Sequence, residues 1–347
     1  MIKVMIIDDS AVVRRVLTEL LEKESDIQVV ATATDPYLAA KKLTQVIPDV
    51  VILDIEMPRM DGLTFLKKLM SQHPLPVVIC SSQAQDGSGN ALQALEYGAV
   101  DIICKPQLGV GEFIKDSQVT IVDAIRAASS SKGQFEWKKP SSNRPLSPSI
   151  QGKEHLETTD KVAVIGASTG GTEALRCFLQ AMPADGPGMV IVQHMPEQFT
   201  ASFARRLNDL CAMTVKEAEN HDSVVRGRVL IAPGNHHVEL RRSGARYYVT
   251  VRSGPLVCRH RPSVDVLFHS AARSAGGNAI GVIMTGMGSD GAEGMLALHN
   301  SGASTIAQDE SSCVVYGMPK EAVKHGGVQQ IAPLEELSPL VLRAAGL

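Results

Sequence analysis

Short, unbroken apolar runs alternate with amphipathic stretches along most of the chain. In the first third the runs are Ile2–Ile7, Ile27–Ala31, Val50–Leu53, Val77–Cys80 and Val100–Cys104. Ala11–Leu21 lies between the first two and places Val12, Val13, Val16, Leu17, Leu20 and Leu21 on one side. Strands that are apolar on both faces and separated by helices predict a parallel sheet covered on both sides. The rhythm resumes near residue 160. Lys161–Ile165, Met189–Val192, Arg228–Ala232 and Ile280–Met284 read as buried strands, Gly171–Leu179 and Ser263–Ala275 as helices. Val238–Arg241 and Tyr247–Val251 flank Ser243-Gly244-Ala245 and read as an antiparallel β-hairpin with a glycine turn. The fold class is therefore α/β in two domains: a five-stranded parallel sheet, then a doubly wound, mainly parallel sheet with a β-hairpin.

Between these blocks the pattern fails. Ser129–Gly133 and Lys138–Pro148 are rich in Ser, Pro, Lys and Asn, with little apolar surface to offset the entropy of ordering. Residues 1–125 and 160–347 are expected as domains, with 126–159 as a semi-extended linker. The one tryptophan, Trp137, lies in that linker beside Phe135, either stapling it to a domain surface or docking a partner. The length of 347 residues agrees with two domains. A balance of 34 basic and 37 acidic side chains gives a net charge of −3 and argues against a broad nucleic-acid footprint. The apolar start is too short for a signal peptide, and no run approaches the roughly 18 apolar residues of a membrane helix. Six scattered cysteines without a CxxC pair suit reduced thiols in a cytoplasmic protein.

Ligands of open parallel sheets bind beyond the carboxyl ends of the strands. Asp8 and Asp9 end the first strand here and Asp54 the third; Ser81 follows the fourth and Lys105 the fifth. Three crowded carboxylates repel one another, and a hard divalent cation such as Mg2+ relieves that. A lysine and a hydroxyl opposite suit phosphoryl oxygens. Asp8-Asp9, Asp54–Gly62, Ser81 and Lys105-Pro106, spread over roughly residues 1–125, resemble the receiver signature of response regulators. The resemblance implies a flavodoxin-like domain phosphorylated on Asp54. It implies Mg2+ held by Asp9, Asp54 and the Glu56 backbone carbonyl, with Asp8 acting through water. Ser81, in preference to Ser82, and Lys105 would contact the phosphoryl group.

In the second domain, Gly166-Ala167-Ser168-Thr169-Gly170 matches G-x-S-x-G between a strand and a helix. A dinucleotide-binding loop is the rival reading. It wants glycine where Ser168 stands and an acid at the end of the next strand, where this chain has His194. A serine hydroxyl needs a base, and His194 alone among the ten histidines ends a strand expected beside the serine's. Asp290, in the glycine-rich turn after Ile280–Met284, is the candidate carboxylate for orienting that imidazole. It can also be read as the N-cap of a helix over Gly291–His299; Asp265 competes, although its helix-start setting reads as structural. The order Ser, His, Asp disfavours the α/β-hydrolase fold, which runs Ser, Asp, His.

The receiver, Gly166–Gly171, Gln193-His194-Met195-Pro196, Pro233-Gly234-Asn235, Arg261–Phe268 and Thr285–Gly291 together resemble the chemotaxis protein-glutamate methylesterases, linker aside. The resemblance implies a Ser168–His194–Asp290 triad, with backbone amides of Thr169 and Met287 as the oxyanion hole and no cofactor in the catalytic domain. Asn235 stands where that family often has Asp. The implied reaction is hydrolysis of glutamate γ-methyl esters, and deamidation of glutamines, on chemoreceptor cytoplasmic helices. A chemotaxis-type histidine kinase would be the phosphodonor, without nucleic-acid binding or membrane insertion. The covering of the triad by an unphosphorylated receiver is expected. A receiver joined to a noncatalytic nucleotide-binding or docking domain is the alternative; a transcription regulator is disfavoured because no basic helix-turn-helix pattern follows the linker.

Overall fold

The computed structural model describes residues 1–57, 60–81, 88–106, 111–131 and 161–347, the side chains of 88 and 111–117 excepted. The linker from 132 onward, with Trp137, and the alternative Ser82 lie outside the described residues.

The first domain is a five-stranded parallel sheet in the order β2-β1-β3-β4-β5, from β1 (Ile2–Ile7), β2 (Ile27–Ala33), β3 (Val50–Asp54), β4 (Val77–Ser81) and β5 (Asp101–Cys104). Its helices are α1 (Ala11–Leu21), α2 (Pro36–Leu43), α3 (Gly62–Gln72), α4 (Ser88–Glu96) and α5 (Gly111–Ser130). β3 and β4 are buried throughout, as unbroken apolar runs require. Ser10, Asp35 and Asp61 accept backbone N–H bonds at the starts of α1, α2 and α3, so polar residues after each strand set where its helix begins. One boundary differs from expectation: residues 126–130 are helix, not linker. Ala124, Ile125, Ala127 and Ala128 are buried and carry the packed face of α5 past 125.

The second domain is built on a seven-stranded sheet in the order β15-β14-β13-β6-β7-β10-β8, parallel throughout. Its strands are β6 (Val162–Ala167), β7 (Gly188–Gln193), β8 (Thr214–Glu217), β10 (Arg228–Ile231), β13 (Ala279–Ile283), β14 (Ser304–Gln308) and β15 (Gln330–Ala332). The expected hairpin is β11 (His237–Ser243) with β12 (Arg246–Arg252), turning at Gly244. It forms a separate antiparallel sheet with β9 (Ser223–Val224). The helices are α6 (Gly171–Gln180), α7 (Glu197–Leu210), α8 (Val264–Ser274), α9 (Ala292–Asn300), α10 (Met318–Lys324) and α11 (Leu334–Ala344). All six cysteines are free. No described helix is long and apolar enough to cross a membrane.

Candidate active site

β13, β6 and β7 are adjacent and parallel, so their carboxyl ends share one edge of the sheet. Ser168 follows β6, His194 follows β7, and Asp290 sits in the turn after β13. Three side chains far apart in sequence thus reach one place because three neighbouring strands end there. β6 leads to β7 on one side and is met by the later β13 on the other, the kind of reversal at which α/β sheets open a crevice.

The serine turn is fixed by short bonds. The Gly171 N–H donates to the Ser168 carbonyl at 2.7 Å, and the Ser168 N–H donates to the Thr285 carbonyl at 3.0 Å. Gly170 has φ +75°, a left-handed conformation that favours glycine, and a Cβ there would also strike Val314. Gly286 comes so close that a Cβ on it would lie 2.7 Å from Ser168 Cβ. Gln193, buried at the end of β7, ties the Ser168 turn to His194: its Nε2 donates to the carbonyls of Ser168 at 2.9 Å and His194 at 3.0 Å. The sequence reading missed this brace, although an amide closing an apolar strand beside His194 was a usable signal.

His194 Nε2 lies 2.8 Å from Asp290 Oδ2. Asp290 is almost wholly buried and also accepts from Ser263 Oγ at 2.7 Å and from the N–H groups of Val264 at 2.7 Å and Asp265 at 3.0 Å. Burial pushes its carboxyl up, but the His194 bond, the imidazole's charge and these donors outweigh it and hold the pKa below the ordinary range. Asp290 therefore stays ionised at the N-terminus of α8, where the helix dipole favours an anion. It does not cap α9, whose N-cap Gly291 has no side-chain bond. Asp265 is structural: its Oδ1 accepts from the Gly294 N–H at 2.7 Å. With a carboxylate on Nε2, the imidazole proton belongs there and the Nδ1 lone pair is left to act as base. That Nδ1 is buried and has no hydrogen-bond partner, while Ser168 and His194 line the same cleft. Ser168 and His194 thus share one cleft without a hydrogen bond between their side chains, an arrangement that candidate nucleophile–base pairs often show before substrate binds.

The amides considered for the oxyanion hole lie in the two turns that meet here. Thr169 follows the serine and its carbonyl accepts from Thr285 Oγ1 at 3.0 Å; Met287 follows the glycine pressed against Ser168. Asn235 takes no direct part: it accepts from Arg261 Nε at 2.9 Å and steadies the loop that leads to Ser263. His260, flanked in sequence by two arginines, stacks its ring on His194 with centroids 3.7 Å apart and planes 11° from parallel.

The first domain lies over this cleft. Leu95, Val100, Asp101 and Ile102 line it together with Ser168 and His194. Thr169 Oγ1 donates to Asp101 Oδ2 at 2.9 Å and Cys104 Sγ to Gln198 Oε1 at 3.5 Å, while Glu96 pairs with Arg206. Burial pushes the Asp101 carboxyl up to about 6, against the Ile102 N–H, the Thr169 hydroxyl and the charge of His194, which lower it.

At the far end of β5, Lys105 Nζ lies 2.7 Å from Asp54 Oδ2 and 3.1 Å from Asp8 Oδ2. Burial pushes Asp54 up to about 6 although Lys105 pulls it down. Carboxylate oxygens of Asp8, Asp9 and Asp54 lie within 4.8 Å of one another, a hard-oxygen cluster that fits a divalent cation. The Glu56 N–H donates to Asp54 Oδ1 at 3.0 Å, which brings its backbone to the cluster. Ser81 ends β4, buried, and its carbonyl accepts from the Lys105 N–H at 2.9 Å.

Known proteins resemble this chain over nearly its whole length. Residues 163–341 match the CheB methylesterase family and residues 4–114 the response regulator receiver domain. The chain is 56% identical, over 99% of both sequences, to protein-glutamate methylesterase/protein-glutamine glutaminase 3 of Geobacter metallireducens. It is also 56% identical to protein-glutamate methylesterase/protein-glutamine glutaminase 2 of Rhizobium johnstonii, covering 98% of this chain and 97% of the relative. The crystal structure of the Thermotoga maritima CheB methylesterase catalytic domain superposes with a TM-score of 0.52 at 36% identity, covering 53% of this chain and 98% of that one.

Proposed function

The chain belongs to the CheB methylesterase family, and from that premise we propose that it is a phosphorylation-regulated serine hydrolase removing γ-methyl esters from chemoreceptor glutamates and deamidating glutamines there. The observation that carries this reading is the buried His194–Asp290 pair at 2.8 Å, with a free imidazole nitrogen in the cleft that Ser168 lines. His194 Nδ1 takes the Ser168 proton as Oγ attacks the ester carbonyl. The amides of Thr169 and Met287 receive the developing oxyanion. The tetrahedral intermediate expels methanol, which leaves with the proton from His194, and the acyl group stays on Ser168. Water, deprotonated by His194, then attacks the acyl carbon; Ser168 recovers its proton and glutamate is freed. A glutamine follows the same course with ammonia leaving.

Control belongs to the first domain, which we take as residues 1–125 plus the end of α5, joined by the linker to a catalytic domain from about 160. Asp54 accepts the phosphoryl group from a chemotaxis-type histidine kinase in the cytoplasm. Asp8, Asp9, Asp54 and the Glu56 carbonyl would hold Mg2+, which neutralises phosphoryl charge when bound; Lys105 and Ser81 meet the phosphoryl oxygens. Incubation with methyl-labelled receptor membranes tests the whole reading: labelled methanol should appear, and faster with a phosphodonor. No release above that from membranes alone would sink it.

The cover over the cleft gives a second expectation. Leu95→Glu removes an apolar side chain from the contact it lines with Phe203 and Leu207, and puts there a charge that must be desolvated among Glu96, Glu173, Arg176 and Arg206; both changes cost the closed state. Each 1.4 kcal/mol lost by the closed state raises the open population about tenfold. Methanol release without phosphodonor should therefore rise several-fold. Arg206→Ala should change it little, because its pair with Glu96 is substantially solvent-exposed. An unchanged rate for Leu95→Glu would argue that the contact does not restrain turnover.

A further inference from the structure

We propose that His260 is a positioning residue for the catalytic base: its ring, stacked on His194, fixes the plane of that imidazole and stabilises the imidazolium formed when Ser168 gives up its proton. The inference rests on the hydrolase reading and adds to it a residue outside the triad.

The geometry is specific. The rings are 3.7 Å apart and 11° from parallel, so one whole face of His194 is covered by another aromatic ring. Asp290 holds the edge of His194 at Nε2, which fixes one point but leaves the ring free to pivot about that bond. A plane stacked on the face removes the pivot, and with it the misdirection of Nδ1 away from Ser168. The loop that presents His260 is built for the purpose. Val257 and His260 exchange N–H to carbonyl bonds at 3.1 and 2.9 Å, closing a tight turn around Cys258 and Arg259. Those two residues have φ +49° and +67°, a left-handed conformation that side chains other than glycine, asparagine and aspartate rarely adopt. Backbone strain of this kind persists where the surroundings hold it and clusters at functional sites.

The charge states agree. Burial and the neighbouring His194 hold His260 well below the usual imidazole range, although Asp290 opposes them. A neutral ring offers a cation its π face instead of a second positive charge. The groups facing His194 are Asp290 from the turn after β13, His260 from its loop, Ser168 from the turn after β6 and Asp101 from the receiver; Arg259 acts on His260. Of these, only His260 covers the ring's face by stacking. Loss of that contact should leave the imidazolium formed during the reaction less stabilised and slow proton removal from Ser168.

The test is the rate at which a fluorophosphonate probe labels Ser168 in the full-length chain, with acetyl phosphate and Mg2+ present, across pH 5 to 9. His260→Ala should label about tenfold more slowly, with the midpoint of its acid limb moved to lower pH by about half a unit. His260→Phe restores a planar ring without a titrating nitrogen and should recover most of the lost rate. His260→Leu, of similar bulk but not planar, should not. If leucine rescued as well as phenylalanine, or if the alanine midpoint stayed put or moved upward, the positioning role would fall while the hydrolase reading stood. Failure of the parent chain to label at all would overturn both.

Discussion

Ser168→Ala should abolish methanol release from methylated receptor membranes while leaving phosphorylation of the receiver intact. The adjacent hydroxyl, Thr169, is engaged elsewhere: it donates to Asp101. Removing the nucleophile of a serine triad lowers turnover by on the order of 10^4 to 10^6, the remainder coming from binding and the oxyanion hole. Asp290→Asn should lower turnover by about 10^4 for a separate reason: the amide cannot hold the proton on Nε2 and stabilise the imidazolium as a carboxylate does. It should also weaken folding, because the carboxylate accepts from Ser263 Oγ and two N–H groups of α8 as well as from His194. The two losses can be told apart by thermal unfolding, which Ser168→Ala should leave nearly unchanged. Substantial methanol release by the Ser168→Ala chain would mean that the chemistry lies elsewhere.

The strands that bring Ser168, His194 and Asp290 to one sheet edge were legible because they are apolar on both faces and bounded by glycine or polar residues. β6, β7 and β13 are buried at every position, and their ends carry Ser168, His194 and the turn to Asp290. The strands that escaped the apolar-run reading include β8, which mixes exposed and half-buried polar residues at one edge of the sheet, and β15, three residues long at the other. An edge strand needs only one paired side and so carries less hydrophobic signal. The two-residue β9 exists only by pairing with β12. His260 was illegible for another reason: its partner is 66 positions earlier, and nothing in Arg259-His260-Arg261 reports a ring stacked on the base. Asp101 likewise is hidden inside the apolar run Val100–Cys104, and only the apposition of the two domains brings it to Thr169. The end of α5 was misjudged because serines after Ala127-Ala128 resemble linker, while two buried alanines suffice to extend the helix.

Asp54→Asn should remove stimulation by a phosphodonor and leave the enzyme at its basal rate. The argument runs through β5. At one end of this four-residue strand Asp101 meets Thr169 beside the nucleophile; at the other Cys104 meets Gln198, and the next residue, Lys105, grips Asp54 and Asp8. A strand rises about 3.3 Å per residue, so the two ends are only about 10 Å apart on a stiff element. Phosphorylation adds roughly two negative charges and three acceptor oxygens next to Lys105, which must leave its present carboxylate partners to meet them. A ligand or modification shifts an equilibrium only through such a difference between states. If the lysine's new position suits the uncovered arrangement by about 1.4 kcal/mol, the open fraction rises tenfold; a full switch from 1:99 to 99:1 needs about 5.5 kcal/mol. Asparagine keeps the shape of Asp54 but cannot form the acyl phosphate, so no such difference arises. Methanol release measured with and without acetyl phosphate, in the presence of Mg2+, should give equal rates for Asp54→Asn and unequal rates for the parent chain. Stimulation that survives the substitution would move the acceptor away from Asp54 and detach β5 from the control of Ser168.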